Sequence, residues 1–263
     1  MSTTFESYRD AFPNARLSRD DAGVLEIALH TDGGKLIFNG HTHEQFVDLF
    51  RQVGADRENR VVILTGSGDA FMDTIDGEGF DFFSPAGYDK IWREGKKVLM
   101  NILDVEVPMI AALNGPVLLH SEYALLCDIV LATPQTVFQD KPHFDFGIVP
   151  GDGVNVVWSE LLGPTRTKYH LLTGIPVGAE EARQIGFVNE VLAPAELLPR
   201  AWALAAELAR SPLPVLRYAK AALSIGTRPD FAERLSHGLG VEGTAHWSLG
   251  GLKPVRIDGD DYA

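Results

Sequence analysis

Apolar and polar positions alternate along Val24–His30 (VLEIALH), which predicts a strand with one buried face. Arg60–Ser67 (RVVILTGS) and Pro108–Asn114 (PMIAALN) instead carry unbroken apolar runs, with Gly66 and Gly115 at their ends. Such runs predict strands covered on both faces. Asp128–Thr133 and Val137–Gln139 add two further short strands. Thr42, His43, Glu44 and Gln45 have the spacing of a capping box with Thr42 as the cap. Phe46, Leu49, Phe50 and Val53 then recur at helical spacing. Strands mixed with helices up to about residue 195 predict an α/β layered core.

Beyond residue 195 the pattern is helical. Leu198, Trp202, Ala205 and Leu208 mark one helix, and a second starts after Pro214. A third starts at Asp230 and sets Phe231, Leu235 and Leu239 on one stripe. Glu242 and His246 continue that stripe at the next two helical steps. Spacing alone leaves two readings: the stripe ends at Leu239 with Glu242 solvated, or it carries a buried acid. The stripe is expected to bury an intersubunit face. The tail GGLKPVRIDGDDYA has no apolar period and is expected to be poorly ordered. The chain therefore divides into a core over 1–195, a helical region over 196–249 and a tail over 250–263.

Composition narrows the function classes. The 263 residues suffice for one large globular domain, and no apolar run is long enough to span a bilayer. A net charge of −13 argues against binding to nucleic acid or to an anionic membrane. A single cysteine, Cys127, excludes a disulfide framework within the chain. The first residues lack an apolar stretch after a basic start, so the expected compartment is the cytoplasm.

Several chemistries are missing from the motifs. There is no G-x-S-x-G, Walker loop, H-E-x-x-H or C-x-x-C, and GSGDAF lacks the third glycine of a dinucleotide fingerprint. His41 and His43 lie two apart and point to different faces of a helix, so no metal site is expected there. What remains is a set of loop residues after buried strands. Asn114-Gly115-Pro116 leads into Val117-Leu118-Leu119-His120-Ser121-Glu122, Phe138-Gln139-Asp140-Lys141-Pro142-His143 ends another strand, and Gly147–Gly153 (GIVPGDG) opens a helix.

These motifs, in this order, resemble the crotonase (enoyl-CoA hydratase/isomerase) superfamily over about residues 15–225. The carriers are AALNGP, the acidic residue before an apolar helix ending in CDIVLA, the G-I-V-P-G-x-G turn, and LLTG…A…IGFVNEV. The resemblance implies a spiral of repeated ββα units with a C-terminal helical trimerisation region. CoA-dependent members use a GGG run where this chain has Leu118, Leu119 and His120. Their second oxyanion segment, A-F-A-A-G-A-D, reads Ala70-Phe71-Met72-Asp73-Thr74-Ile75-Asp76 here, without glycine. Bulky side chains at such points crowd a thioester. The hydratase's second glutamate falls at His143.

The pattern instead is similar to 6-oxocamphor hydrolase and related β-diketone hydrolases, the carbon–carbon hydrolysing branch, over about residues 5–245. HTDGGK, His43, VILTGSG, Phe80, His120, FQDKPHFDFGIVPGDG with His143 and Asp152, and Glu242 carry the match. This implies retro-Claisen cleavage of a cyclic diketone with water as the nucleophile, giving a keto acid with no cofactor. It also implies a homotrimer or dimer of trimers. The site then needs a base, an oxyanion partner and a proton donor.

On that resemblance His143 is the expected base and Asp152 the carboxylate that orients it. His120 is expected to polarise the second ketone or hold the enolate oxygen. His43 and Glu242 are expected to place water or bond within the pocket. Phe38, Phe80, Phe82 and Trp158 are candidates for the apolar wall. Glu122 matches the hydratase's other acid and stays outside the core set. Without the resemblance, Asp152 reads as a helix cap, His43 as the first helical residue after Thr42, and His120 and His143 as solvent-facing. The alternative is a CoA-dependent hydratase or isomerase.

Overall fold

The computed structural model describes residues 3–140, 143, 147–224 and 228–248. The proposed tail lies outside the described residues. After a short helix, α1 (Phe5–Tyr8), come β1 (Ala15–Arg19), β2 (Val24–Leu29) and β3 (Ile37–Phe38). Then follow α2 (Gly40–Ala55), β4 (Val61–Gly66), β5 (Thr74–Ile75), α3 (Pro85–Leu103) and β6 (Met109–Leu113). The core continues through α4 (Glu122–Leu125), β7 (Ile129–Ala132), β8 (Val137–Phe138), α5 (Val154–Leu162) and α6 (Pro164–Thr173). It ends with β9 (Val177–Gly178), α7 (Ala179–Ile185) and β10 (Glu190–Val191). Three helices close the described chain: α8 (Pro194–Leu208), α9 (Leu213–Leu223) and α10 (Arg228–Ser248).

The main sheet runs β1-β2-β4-β6-β7-β10. The β1–β2 pair is antiparallel and every later pair parallel. Bridges from Met72 to Val117 and from Val117 to Phe138 align successive turns of chain beside it, as a spiral of β-rich repeats requires. The AALNGP motif joins two of these turns. The Asn114 side chain accepts from Gly66 N and donates to the Gly68 and Ala70 carbonyls. A Cβ on Gly115 would lie 1.9 Å from the Asp69 carbonyl oxygen, so only glycine allows that approach.

The sheet is buried on both faces, which corrects the half-buried reading of Val24–His30. Leu25, Ile27 and Leu29 join the larger core, while Val24, Val61, Ile63, Ile110 and Leu131 pack against Leu197, Ala201 and Ala205 of α8. Even Glu26, on the polar side of the pattern, is capped by α8: Trp202 Nε1 donates to its carboxylate at 2.7 Å. The helices beyond residue 195 thus close the core instead of standing apart from it.

The same holds for the stripe on α10. Phe231, Leu235 and Leu239 are buried within this chain and belong to the larger core, so the stripe needs no partner subunit to cover it. Glu242 and His246 are buried along with it, and the solvated reading of Glu242 is wrong. Among the described residues no helix is long and apolar enough to cross a membrane.

Candidate active site

Three local features aim side chains into one cavity of about 90 Å³. The first is the start of α2. Asn39, not Thr42, is the N-cap: its side chain accepts from His41 N and Thr42 N, and Thr42 Oγ1 accepts from Asn39 N in return. The box is shifted three residues upstream of the sequence reading because Asn is as good a cap as Thr and lies just after β3. His43 is therefore the fourth helical residue. It faces inward and is buried, while His41 points outward.

The second feature is the backbone at His120, with φ +46°. This is left-handed space, where a non-glycine residue is strained. It turns the imidazole inward just before α4, placing Nδ1 2.8 Å from Glu122 Oε1 and 3.2 Å from Asp152 Oδ2.

The third is the close approach of α10 to the turn before α5. A Cβ on Gly238 would lie 2.3 Å from the Gly151 carbonyl oxygen, and one on Gly151 would lie 2.2 Å from that of Gly238. Two bare glycines let the helix rest on the turn. Glu242, one helical turn on from Gly238, is thereby brought beside Asp152, and both line the cavity.

His143 completes the set. Its Nδ1 is 2.6 Å from Asp140 Oδ1 and its Nε2 is 3.5 Å from Asp152 Oδ2. The carboxylate on Nδ1 is thus Asp140, where the sequence suggested Asp152 as the partner of this ring. Asp152 stands instead between the two imidazoles, facing His120 Nδ1 and His143 Nε2. The sequence offered a signal for Asp140, three residues before His143 in FQDKPH, but the helix start after Asp152 drew the assignment.

The cavity is lined by His43, His120, Glu122, Tyr123, His143, Asp152 and Glu242 among apolar residues that include Phe80, Phe82, Leu99, Ile148 and Leu239. Glu122, set aside in the sequence reading, is inside it. Phe38 and Trp158 are not. Phe38 is fully buried behind the site, its ring centroid 4.4 Å from that of His120. Trp158 is buried against Phe187 and donates from Nε1 to Ser121 Oγ. Glu94 on α3 was missed altogether: its Oε2 lies 3.1 Å from His43 Nδ1. No local signal in the sequence ties this acid to His43, 51 residues away.

Burial and charge divide these groups. Burial disfavours charge on His120, but Glu122 and Asp152 outweigh it and raise its pKa to about 10. Burial likewise opposes charge on His143, and Asp140 and Asp152 raise its pKa well above the ordinary imidazole value. Asp152 is held well below the usual carboxylate range. Burial opposes that, but His143, His120 and the Val154 N–H prevail. Burial, aided by Asp152, raises Glu122 to about 7 and Glu242 to about 8 against the pull of the histidines. His43 goes the other way: burial lowers its pKa, and Glu94 offsets this only in part. Near neutral pH the cavity therefore holds two cationic imidazoles, one neutral imidazole and an uncharged Glu242.

Within the described residues, His120, Glu122 and Asp152 also form a set of metal-ligand type, their donor atoms within 4.8 Å of one another. By spacing alone only His41 and His43 stand out as a metal pair in the sequence, and Asp152 is too far along the chain for any local signal to join it to His120 and Glu122. Here the His120 imidazole itself lies between the two carboxylates, with Nδ1 directed at both. Glu122 Oε2, Tyr123 Oη, Asp152 Oδ1 and Glu242 Oε2 are buried without a protein hydrogen-bond partner. Such a concentration of unpaired polar atoms marks a site for a polar ligand.

Comparison with known proteins accords with this geometry. The sequence matches the enoyl-CoA hydratase/isomerase family over residues 19–241. Crotonyl-CoA hydratase from Syntrophomonas wolfei is 32% identical over 200 residues, covering 75% of this chain and 76% of that protein. A β-diketone hydrolase from the cyanobacterium Anabaena sp. PCC 7120, bound to (S)-3-oxocyclohexyl acetic acid, superposes with a TM-score of 0.90. It is 46% identical, covering 92% of this chain and 97% of that chain. An enoyl-CoA hydratase/isomerase from Mycobacterium paratuberculosis superposes at 0.78 with 25% identity, covering 89% of this chain and 93% of that chain. With the fold, the ordered motifs and the family match in agreement, the chain belongs to the enoyl-CoA hydratase/isomerase, or crotonase, family.

Proposed function

We propose that this protein hydrolyses a carbon–carbon bond of a cyclic or bicyclic β-diketone, giving a keto acid. One observation carries the reading: two imidazoles, His120 and His143, flank Asp152 at 3.2 and 3.5 Å inside a cavity whose remaining lining is largely apolar. The 46% identity to a β-diketone hydrolase holding a keto acid supports it. Water attacks one ketone, and the base that takes its proton is His143 at Nε2, the nitrogen not bonded to Asp140, which faces Asp152 Oδ2 at 3.5 Å. His143 must be unprotonated to do this, and its flanking carboxylates make it a strong base when it is. The tetrahedral intermediate collapses, and the C–C electrons pass to an enolate stabilised by the second ketone. The His120 imidazolium holds that enolate oxygen, supplying positive charge where negative charge develops. Glu242, uncharged up to about pH 8, bonds water or a substrate oxygen as a donor. Phe80 and Phe82 form the apolar wall. No CoA and no redox cofactor enters the reaction.

The CoA-dependent alternative draws on the hydratase relatives and on Glu122. Against it, Glu122 is fully buried and bonded by His120, and a histidine holds the place of the second acid. The test is incubation with a panel of cyclic β-diketones in the absence of CoA. Loss of diketone absorbance with acid formation supports the hydrolase, and an inert panel with turnover of crotonyl-CoA overturns it.

The expected assembly is a homotrimer or dimer of trimers. Exposed Val215, Tyr218 and Leu223 on α9 are the support for an intersubunit face there, in place of the α10 stripe. A strictly monomeric species in sedimentation at micromolar concentration would count against it.

A further inference from the structure

The cleavage has a second proton transfer, to the enolate carbon, separate from the deprotonation of water at His143. The cavity also holds a third imidazole–carboxylate pair. His43 Nδ1 lies 3.1 Å from Glu94 Oε2, and both side chains are buried. Glu94 thus accepts a hydrogen bond from Nδ1–H and leaves the lone pair of the neutral ring on Nε2, because the bond made by one ring nitrogen sets the state of the other. Nε2 is next to Gly95: a Cβ there would stand 3.5 Å from it. Glycine at this helical position keeps the nitrogen uncovered. His43 and Gly95 both line the cavity.

We infer that Glu94 positions His43 to carry the proton that ends the reaction, an inference that rests on the diketone hydrolase reading. When the C–C bond breaks, the acyl fragment leaves as a carboxylic acid whose O–H retains the second proton of the attacking water. His43 Nε2 accepts that proton, leaving a carboxylate, and then gives it to the enolate carbon, leaving the ketone and neutral His43. The first water proton, taken by His143, goes to solvent. The acyl carbon and the enolate carbon were bonded to each other, so one nitrogen can reach both in turn. Burial disfavours the His43 cation, so it releases its proton readily to an enolate. A proton delivered from one wall also arrives on one face of that carbon.

A bridged bicyclic β-diketone in D2O reads this directly. The bridgehead hydrogen between its two carbonyls does not exchange beforehand, since a bridgehead enolate cannot become planar. Ring opening creates a CHD centre whose configuration, read by NMR on freshly formed product, reports the face of delivery. The wild-type protein should give one configuration. Glu94→Gln should lower kcat by roughly 10- to 100-fold with KM little changed, and should mix the two configurations. Glu94→Asp should restore part of both. Gly95→Ala covers Nε2 without a clash, so it should lower kcat and mix the label while the Tm holds or rises. His43→Ala and the His43→Ala/Glu94→Gln double variant should be equally slow, since the pair acts as one unit. The inference is overturned if Glu94→Gln and Gly95→Ala keep a single configuration at wild-type kcat. It is equally overturned if they raise KM alone, which would make Glu94 a pocket-shaping residue. A wild-type protein that opens no diketone refutes the hydrolase reading itself, an outcome distinct from any failure of the variants.

Discussion

Gly238→Ala tests whether contact between α10 and the turn at Gly151 sets the site. The added Cβ would lie 2.3 Å from the Gly151 carbonyl oxygen. Carbon and carbonyl oxygen approach to about 3.3 Å without strain, so the helix and the turn must part by roughly 1 Å. Both partners are backbone, so no side-chain rotation relieves the clash. Glu242 and Asp152, held on the two sides of that contact, move apart with them. A displacement of about 1 Å at a reacting group costs on the order of 100-fold in rate. Overpacking should also destabilise the fold by about 1–3 kcal/mol. Gly240→Ala is the control on the same helix, where an added Cβ meets nothing within 4 Å. It should gain up to about 1 kcal/mol of helix propensity and keep its kcat. The assay is kcat for diketone hydrolysis alongside thermal unfolding of both variants. If Gly238→Ala keeps wild-type kcat and Tm, the glycine contact does not set the position of Glu242, and the reasoning fails.

Further outcomes follow from the same geometry. Asp140→Asn, Asp152→Asn and His143→Ala should each lower kcat by roughly two to four orders of magnitude and combine far from additively; near-normal turnover in any folded variant would remove that residue from the base machinery. His120→Ala should raise KM clearly while lowering kcat less than His143→Ala, because a donor on the second ketone acts both before and after cleavage; an unchanged KM with kcat abolished would put His120 in the base machinery instead. The folded pKa of Glu242, about 8, is raised above its ordinary 4.5, so the native state holds an extra proton and wild-type stability falls as pH rises between those values. Glu242→Gln removes this loss, so its Tm relative to wild type should climb from pH 5 to pH 9, and a constant difference would show that Glu242 is not protonated in the fold.

Much of this was legible in the chain because it depends on local pattern. The apolar runs at Arg60–Ser67 and Pro108–Asn114 could bury both faces only as central strands, and they do. His43, His120, His143, Asp152 and Glu242, brought together in the cavity from α2, the α4 and α5 loops and α10, were each named through motif order. What failed depended on distant contacts. Phe38 and Trp158 have the chemistry of a pocket wall, but only packing decides that Phe38 sits behind His120 and Trp158 against Phe187. Asp140 and Asp152 are both plausible partners for His143 by separation, and only the three-dimensional contact pairs Nδ1 with Asp140. Glu94 is 51 residues from His43, and no local signal joins them. The α10 stripe was read correctly as apolar and wrongly as intersubunit, since an amphipathic face says that something covers it, not what.

The central claim is that the site built around His120, Asp152 and His143 serves water and a diketone, not a thioester. The most direct measurement is a comparison of kcat/KM on a bridged β-diketone and on crotonyl-CoA, with the diketone reaction run in 18O-labelled water. The account predicts diketone turnover in CoA-free buffer, one 18O atom in the new carboxylate, and crotonyl-CoA hydration lower by orders of magnitude. Hydration of crotonyl-CoA with the diketone left intact would contradict it.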